Sequence, residues 1–427
     1  MTDEATLHPR MTAQASARAQ VLPARMLAAA AICALPIVVG LFVAATTFRG
    51  GSIVPWRPVM VDLDVYRQAG RALLQGGDIY ALQGPLPFLY PPFAALLAVP
   101  LALMAAAAVQ ILWTIAGVLA ILAVMYRYGL RGWVLGLGGA GAVFFVEPVN
   151  QTLAFGQLGI ILVALVVLDL VPGPRLLPGR RLLPEGVLTA VAAAVKLTPG
   201  IFVLYLFASG RRRAAVTAVV VGAGVTLATW ALLPSTSGGF WGRLAHGDTG
   251  LGNGIVYYTN QSVMADIVRI FGMSRTASAA GLLLAVLVAA VGVWASALWH
   301  RLGDVPFAVT LSGIAGLLAS PVSWSHHFVW VVPFALCLLG THVPSGQSPA
   351  IRLPVWFQVT GWLFVGWVLA VPYKRLPNGG DVELAWSWWQ NTLATVTAVL
   401  GVALLAAAVV VARRQAYRAP AKLTRKV

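Results

Sequence analysis

Twelve apolar runs constrain this chain more than any other feature of its sequence. The hydrocarbon core of a bilayer requires about 20 apolar residues per helix, and several runs reach that length. Only 10% of the 427 residues are charged, too few to cover the surface of a soluble protein of this size. The sequence therefore predicts an all-α integral membrane protein with about 12 transmembrane helices. The runs are residues 26–48, 108–126, 133–148, 158–171, 187–195, 199–209, 214–233, 277–299, 305–320, 328–340, 354–371 and 388–412.

Basic residues mark the ends of the runs and orient the chain. The 29 lysines and arginines outnumber the 13 acidic residues and give a net charge of +16. When the runs are threaded alternately from a cytoplasmic N-terminus, most basic residues fall on the inner side and most acidic residues on the outer side. We therefore predict a multi-pass plasma-membrane protein with both termini in the cytoplasm, and we do not expect a nucleic-acid partner. Cys33 and Cys337 lie inside apolar runs, which argues against a disulfide framework or a thiolate metal site.

The runs and the loops between them define the predicted domains. Residues 1–25 form a cytoplasmic arm, residues 26–412 the membrane domain, and residues 413–427 a basic cytoplasmic tail. The membrane domain contains two long outer loops, residues 49–105 and 234–276. The first loop is expected to carry two short interfacial helices. Their predicted bounds are residues 69–74 and 94–103.

Carboxylates at the outer boundary of the membrane are the first candidates for catalysis. Asp62 and Asp64 follow the first apolar run, and Glu147 lies at the end of the third. A carboxylate close to a dry boundary has a raised pKa and can remove a proton from a hydroxyl group. A solvated loop acid without such a role is the alternative for both aspartates. The sequence does not decide which of the three carboxylates has the raised pKa.

Two amides and a lysine follow on the same outer side. Asn150 and Gln157 can donate hydrogen bonds to sugar hydroxyls, although packing between helices is an equally good interpretation of Gln157. Lys196 lies at the outer turn of a helical hairpin, where a lysine either extends to the interface or binds a phosphate. The sequence places no acidic residue near Lys196, which keeps the phosphate interpretation open.

Two further polar groups lie in the second half of the chain. Asn260 and Gln261 belong to a polar and aromatic cluster typical of carbohydrate-binding loops. Trp324, His326 and His327 follow the ninth run. Adjacent histidine side chains point in different directions, so a metal site is not favoured. Stabilisation of a phosphate leaving group by one imidazolium is the better interpretation, with the other histidine in a structural role.

Six motifs, in this order, span the chain from the first predicted helix to about the tenth. In combination they resemble the actinobacterial polyprenol-phosphate-mannose-dependent mannosyltransferases, which are multi-spanning enzymes of the GT-C type. The last two predicted helices match that family in hydropathy alone. The motifs are Asp62-Leu63-x-Val65-Tyr66-x-x-Ala69-Gly70, Tyr90-Pro91-Pro92, Gly156-Gln157, Lys196-x-x-Pro199, Asn260-Gln261-Ser262 and Ser323-Trp324-x-His326-His327.

The resemblance implies an inverting transfer of mannose from a polyprenyl-phosphate-mannose donor at the periplasmic face. Among family members, the chain is most similar to those that add an α-1,2-linked mannose to a phosphatidylinositol mannoside. The catalytic aspartate of the family corresponds to Asp62 as general base, and its histidine corresponds to His326. Asp64 occupies a variable position of the first motif.

The implied ligands are a lipid-linked sugar donor, a glycolipid acceptor and membrane lipids. The leaving group is a monophosphate, which one or two side-chain cations can stabilise, so no metal and no other cofactor is expected. The residues expected to contact the substrates, besides the two catalytic residues, are Asp64, Tyr66, Tyr90, Asn150, Gln157, Lys196, Asn260, Gln261, Trp324 and His327.

Several alternatives remain open from the sequence. The α-1,2 branching mannosyltransferases of lipomannan and lipoarabinomannan carry the same motifs. An arabinofuranosyltransferase of the same architecture is also compatible with the pattern. A transporter of a lipid-linked glycan would share the apolar and basic composition, but it predicts polar residues near the middle of the membrane and paired half-helices. A scaffold protein would not need the histidines, carboxylates and amides together.

Overall fold

The computed structural model describes residues 8–46, 60–84, 86–173, 181–248, 250–341, 351 and 353–418. These residues form 17 α-helices and no β-strand. The helices are α1 (His8–Thr46), α2 (Val61–Leu74), α3 (Pro92–Leu103), α4 (Ala106–Arg127), α5 (Gly132–Phe145), α6 (Glu147–Phe155), α7 (Gly159–Leu170), α8 (Val187–Val195), α9 (Ile201–Ala208), α10 (Arg212–Leu232), α11 (Pro234–Ala245), α12 (Val263–Phe271), α13 (Arg275–Arg301), α14 (Val305–Ala319), α15 (Val331–Leu338), α16 (Val355–Ala370) and α17 (Trp388–Arg418).

Each of the twelve apolar runs coincides with a helix, which confirms the all-α class. Among the described residues, however, six helices are long and apolar enough to cross a membrane. Counting the bent pair of helices α5 and α6 as one span makes seven. The predicted number of 12 crossings is therefore not confirmed, because α7, α8, α9, α14 and α15 are shorter than the roughly 20 residues that a full crossing requires. The six long spans are Met26–Thr46, Ala106–Arg127, Arg212–Leu232, Arg275–Arg301, Val355–Arg375 and Trp388–Tyr417.

Helix α14 lies at the centre of the bundle. All of its residues from Pro306 to Leu318 are buried, so it is surrounded on every side by protein. Helix α13 packs against it and turns its opposite face outward, where Leu282, Leu283 and Val286 are exposed. Exposed leucines in such numbers are expected where the surrounding solvent is lipid rather than water. The described cysteines Cys33 and Cys337 are both free thiols.

The terminal segments and the first outer loop differ from the prediction. Helix α1 begins at His8, so most of the predicted arm continues the first helix, while residues 1–7 lie outside the described residues. Helix α17 extends into the predicted tail as far as Arg418, and residues 419–427 are not described.

In the first outer loop, residues 49–59 lie outside the described part of the chain. The second interfacial helix is close to its predicted bounds. The first, α2, begins at Val61 rather than at residue 69, so Asp62 lies on a helix and not in a loop. The apolar residues Leu63, Val65 and Tyr66 extend the buried face of this helix back to its first turn.

Helices α7 and α8 separate a basic end of the bundle from a polar end. At the end of α7, the buried carboxylate of Asp169 accepts a hydrogen bond of 2.6 Å from Arg181. Arg211 lies at the same end. Gln157 and Lys196 lie at the opposite ends of α7 and α8. The residues predicted to be cytoplasmic and those predicted to bind substrate are thus a helix length apart.

At the polar end of the bundle, three helices end at a residue with extended backbone. The backbone is extended at Val146 between α5 and α6, at Lys196 between α8 and α9, and at Ser320 after α14. A proline follows each break within three residues and prevents the preceding helix from continuing. These prolines are Pro148, Pro199 and Pro321. The breaks place polar backbone and side chains next to one another inside an otherwise apolar bundle.

Gly156 allows α2 to dock against this region. It ends α6 in the left-handed conformation, with φ of +69°. A Cβ atom at this position would lie 2.6 Å from Cβ of Leu63 and 3.0 Å from Cβ of Met60. Glycine therefore satisfies two requirements here: a positive φ angle and a close approach of the helix that carries Asp62.

We predict that Gly156→Ala lowers the thermal unfolding temperature of the detergent-purified protein and also reduces activity, because the new methyl group displaces the start of α2. The expected cost is on the order of 1–3 kcal/mol of folding free energy. Gly141→Ala is the matched control, since no atom lies within 4 Å of a Cβ at that helical position. An unfolding temperature for Gly156→Ala equal to that of the control would contradict the packing argument.

Candidate active site

A cavity of about 1290 Å³ opens at the polar end of the bundle. It lies between α2, the breaks after α8 and α14, and the loop that follows α11. The structure brings seven of the predicted site residues to its wall. They are Asp62, Tyr90, Gln157, Lys196, Trp324, His326 and His327.

Asp62 is half-buried in the first turn of α2, and Gln157 is oriented toward it. The Oε1 atom of Gln157 accepts hydrogen bonds from the hydroxyls of Tyr66 (3.0 Å) and Tyr90 (3.2 Å) and from the backbone N–H of Leu158 (3.1 Å). With three donors at its oxygen, the amide turns its NH₂ group to the Asp62 carboxylate. Tyr66 does not line the cavity itself, but it fixes this amide from behind.

Asp62 and Lys196 are electrostatic partners across the cavity floor. Burial raises the pKa of Asp62 to about 7, although the Lys196 charge and the Gln157 hydrogen bond lower it. Burial lowers the pKa of Lys196 to about 8, against the opposing influence of Asp62. The sequence offered no acidic neighbour for Lys196, and the structure corrects this, because Asp62 lies 134 positions earlier in the chain on a helix that packs across the break.

His327 positions Lys196. Its Nε2 atom lies 3.0 Å from Nζ of Lys196, and its Nδ1 atom lies 3.2 Å from the backbone nitrogen of Trp324. Both ring nitrogens therefore have partners within the protein. This leaves the ring well placed to hold the lysine and poorly placed to contact a substrate.

His326 has a different environment from that of its neighbour. Its ring is buried, packs edge to face against Phe155 with ring centres 5.2 Å apart, and lines the cavity. Its Nε2 atom has no hydrogen-bond partner among the described residues. Thr152 fixes the backbone of His326, because its hydroxyl donates a hydrogen bond to the His326 carbonyl at 2.8 Å. An imidazole nitrogen buried without a partner at a cavity wall is available to a ligand.

Five predicted residues, Tyr66 among them, do not line the cavity, and Asp64 and Asn150 are two of the others. Asp64 points along α2, where it accepts a hydrogen bond of 2.6 Å from Gln68. Asn150 donates to the carbonyl of Phe144 at 3.3 Å, across the bend between α5 and α6. Gln151, the residue after Asn150, lines the cavity in its place. A one-residue step along a helix turns the side chain by about 100°, which the sequence alone did not resolve.

Asn260 is also used within the protein. Its side chain is fully buried, and its NH₂ group donates to the carbonyls of Ile255 (2.9 Å) and Pro321 (3.1 Å). Its oxygen accepts from the backbone N–H groups of Ser323 (2.9 Å) and Ser262 (3.3 Å). All of its hydrogen-bonding groups are therefore occupied, and Asn260 ties the second outer loop to the histidine segment instead of reaching a sugar.

Gln261 has a similar structural environment. Its NH₂ group donates to the carbonyl of Tyr258 at 3.0 Å, and its oxygen accepts from the hydroxyl of Thr397 at 2.6 Å. The side chain is fully buried. The structure thus places both amides of this motif behind the cavity wall, where they support the segment that carries Trp324 and His326.

Sequence reasoning missed Lys374. This lysine lines the cavity and forms an ion pair with Glu147, which also accepts a hydrogen bond of 3.3 Å from Ser325. A signal was present, because the chain has four lysines and only Lys196 and Lys374 lie outside its C-terminal tail. Glu147 is therefore a paired carboxylate, which leaves Asp62 as the carboxylate beside the two histidines.

This arrangement suits acid–base chemistry on a hydroxyl group next to a developing negative charge. Asp62 can accept a proton, while Lys196 and His326 face the same cavity. Among the residues that the structure describes, no group of three or more His, Cys, Asp or Glu side chains has the geometry of a metal site.

Comparison with known proteins agrees with this geometry. Residues 88–321 match glycosyltransferase family 87. A polyprenol-phosphate-mannose-dependent α-(1-2)-phosphatidylinositol mannoside mannosyltransferase of Mycobacterium tuberculosis (strain ATCC 25618 / H37Rv) is 28% identical, over 86% of this chain and 90% of its own. The protein of the same name from Mycolicibacterium smegmatis (strain ATCC 700084 / mc(2)155) is 30% identical, over 76% of this chain and 86% of its own.

A third relative is named for a larger glycolipid. It is a polyprenol-phosphate-mannose-dependent α-(1-2)-phosphatidylinositol pentamannoside mannosyltransferase of Mycobacterium tuberculosis (strain CDC 1551 / Oshkosh), 31% identical over 80% of both chains. No solved structure matches this chain. The family match covers more than half of the chain, and the chain belongs to glycosyltransferase family 87.

Proposed function

We propose that this protein is an inverting α-1,2-mannosyltransferase. It takes mannose from polyprenyl-phosphate-mannose and adds it to the 2-hydroxyl of a mannose on a phosphatidylinositol mannoside, converting the tetramannoside to the pentamannoside. The names of the relatives support the donor and the acceptor class. The observation that carries the proposal is the half-buried Asp62 beside Lys196 in a cavity of about 1290 Å³.

In the proposed reaction, Asp62 removes the proton from the acceptor hydroxyl. The oxygen attacks the anomeric carbon of the donor, the new glycosidic bond forms, and the bond from that carbon to the phosphate oxygen breaks. Polyprenyl phosphate leaves with the electron pair, and the β-mannosyl phosphate becomes an α-mannoside in one step. Lys196 stabilises the charge on the leaving phosphate, and His326 acts there as a neutral N–H donor rather than the expected imidazolium, because burial and the nearby lysines lower its pKa well below the ordinary value.

The raised pKa of Asp62 serves both halves of this cycle. A carboxylate with a pKa of about 7 is a stronger base than an ordinary aspartate, so it accepts the hydroxyl proton more readily. Its pKa is also close enough to neutral pH for the carboxyl group to return the proton to water after the product leaves. An exposed aspartate would be too weak a base for the first step.

We propose that no metal takes part. The leaving group is a single phosphate, and the cavity already presents Lys196 and His326 next to the base. The expected partners are the lipid donor, the glycolipid acceptor and the surrounding lipids, with no nucleic acid. The cavity lies at the end of α7 and α8 opposite Arg181 and Arg211, which supports a periplasmic site with both termini in the cytoplasm.

A larger acceptor is the second candidate. One relative is named for the pentamannoside, and the cavity has room for several sugar rings. Branching of lipomannan or lipoarabinomannan belongs to the same group of reactions. Transport of a lipid-linked glycan is the candidate from another class, but the polar residues that line the cavity lie at one end of the bundle rather than at its middle.

The proposal predicts that the purified protein makes an α-1,2-linked pentamannoside from short-chain polyprenyl-phosphate-mannose and phosphatidylinositol tetramannoside, with the linkage read by NMR. Asp62→Asn is expected to reduce transfer by at least about a hundredfold without loss of donor binding, because the base is removed but the shape is kept. Asp64→Asn is the matched control and should retain transfer. A chelator should leave the rate unchanged.

Three results would count against this proposal. Transfer by Asp62→Asn at the native rate would remove Asp62 as the base. Loss of transfer on chelation, restored by a divalent ion, would show that a metal is required. No product with the tetramannoside, but product with a larger glycan, would favour the second candidate.

We expect the alanine variants of the two histidines to differ in turnover. His326→Ala should reduce turnover strongly, because an unpartnered nitrogen at the cavity wall is lost. His327→Ala should do less, because it removes only a support of Lys196. Steady-state rates at saturating donor and acceptor measure both effects, and the reverse order would exchange the two roles.

The pH profile is expected to report the pairing of Asp62 and Lys196. The transfer rate should rise as Asp62 ionises near pH 7 and fall as Lys196 loses its proton near pH 8. Lys196→Met removes the charge that lowers the pKa of Asp62, so the rising limb should move to higher pH and the falling limb should disappear. Lys196→Arg should keep the rising limb and move the falling limb upward. An unchanged rising limb in Lys196→Met would disprove the coupling.

A further inference from the structure

Arg243 differs from the other basic side chains in the cavity wall. Within the described residues, three lysines or arginines line this cavity. Lys374 is ion-paired with Glu147, and Lys196 is the electrostatic partner of Asp62. Arg243, near the end of α11, forms no ion pair with any described residue. It is therefore a cation of the cavity wall without a direct acidic partner among the described residues, although Asp248 lines the same cavity.

The aromatic side chains around Arg243 hold it in place. The guanidinium carbon lies 4.4 Å from the centre of the Tyr80 ring, and that ring stacks on Phe240 with centres 5.8 Å apart. The acids nearby, Asp78 and Asp248, each accept a hydrogen bond from a backbone N–H two residues further on, and neither forms an ion pair with Arg243. Stacking covers the face of a guanidinium and leaves the N–H donors at its edge free.

Two tyrosine side chains separate Arg243 from the proposed base. The hydroxyl of Tyr80 donates to the carbonyl of Tyr90 at 3.0 Å, and Nζ of Lys196 lies 5.5 Å from the centre of the Tyr90 ring. The wall therefore presents one cation next to Asp62 and a second cation farther along the cavity, beyond Tyr90 and Tyr80.

We propose that Arg243 binds the phosphodiester of the glycolipid acceptor, an assignment that rests on the proposed mannosyl transfer. The donor phosphate is bonded directly to the reacting carbon, so it must lie beside Asp62 and Lys196. The acceptor phosphodiester is separated from the reacting hydroxyl by inositol and mannose rings. Arg243 lines the same cavity as Asp62 but lies beyond Tyr90 and Tyr80, which suits a phosphate that is farther from the reacting carbon than the donor phosphate is. The planar guanidinium also matches two phosphate oxygens, as arginine does at many phosphate sites.

The test compares two soluble acceptors that differ only in this group. One is the deacylated glycerophosphoinositol tetramannoside, and the other is the inositol tetramannoside without phosphate. Binding of each to the full-length protein is measured by calorimetry. We expect the native protein to bind the phosphodiester form about tenfold more tightly, and Arg243→Ala to bind both forms equally. Arg243→Lys should keep part of the preference.

Arg71→Ala is the matched control, because it removes one exposed positive charge from α2 without altering the cavity wall. It should retain the native preference, and unfolding temperatures of all variants establish that each is folded. Equal binding of the two acceptors by the native protein would overturn the proposal. So would a preference that persists in Arg243→Ala, or a loss of donor affinity that accompanies it.

The proposed function is tested separately in the same material. Transfer of mannose by the native protein to the phosphate-free inositol tetramannoside does not depend on Arg243. Absence of transfer to both soluble acceptors and to phosphatidylinositol tetramannoside would refute the enzymatic proposal, whereas a native preference for the phosphodiester, abolished by Arg243→Ala, would still support the phosphate site. Transfer by a native protein that binds both acceptors equally would support the enzymatic proposal and refute the phosphate site.

Discussion

The interaction on which this site depends is the pairing of a carboxylate and an ammonium group away from bulk water. Burial acts on Asp62 and Lys196 in opposite senses and brings their pKa values to about 7 and about 8. Separation of such a pair would leave an uncompensated charge in a medium of low dielectric constant, which is costly. The surrounding protein must therefore hold the two groups together, and Gln157 and His327 supply the hydrogen bonds that do so.

The fold brings these groups together by interrupting helices at one end of an apolar bundle. Prolines after Val146, Lys196 and Ser320 end helices at the same level, and Gly156 lets α2 approach the gap. Each break exposes backbone groups that a membrane-buried segment would otherwise satisfy within its own helix, so irregular backbone is expected only where it lines a cavity. The helix breaks thus explain why a chain with 59% hydrophobic residues has a cavity with charged side chains in its wall at one end.

The sequence was informative where a residue type is costly in a membrane. Asp62, Lys196 and His326 could be identified because charged and ionisable groups in an apolar chain require a reason. It was less informative for amides, since Asn260 and Gln261 serve equally well as ligands and as internal braces, and only the hydrogen-bond partners distinguish the two. The pairing of Asp62 with Lys196 could not be predicted, because it joins distant segments. The span count of 12 stays a prediction, because an apolar run shows that a helix is buried but not that it crosses the bilayer.

The central claim is that Asp62 is a desolvated carboxyl group with a pKa near 7, and its ionisation can be measured directly. Infrared difference spectra of the protein in lipid nanodiscs, recorded across pH for the native protein and for Asp62→Asn, isolate the carboxyl band of this residue. The account predicts a protonated carboxyl band that disappears with a midpoint of about pH 7 and is absent from the variant. A band that disappears near the ordinary aspartate pKa of about 4 would contradict it.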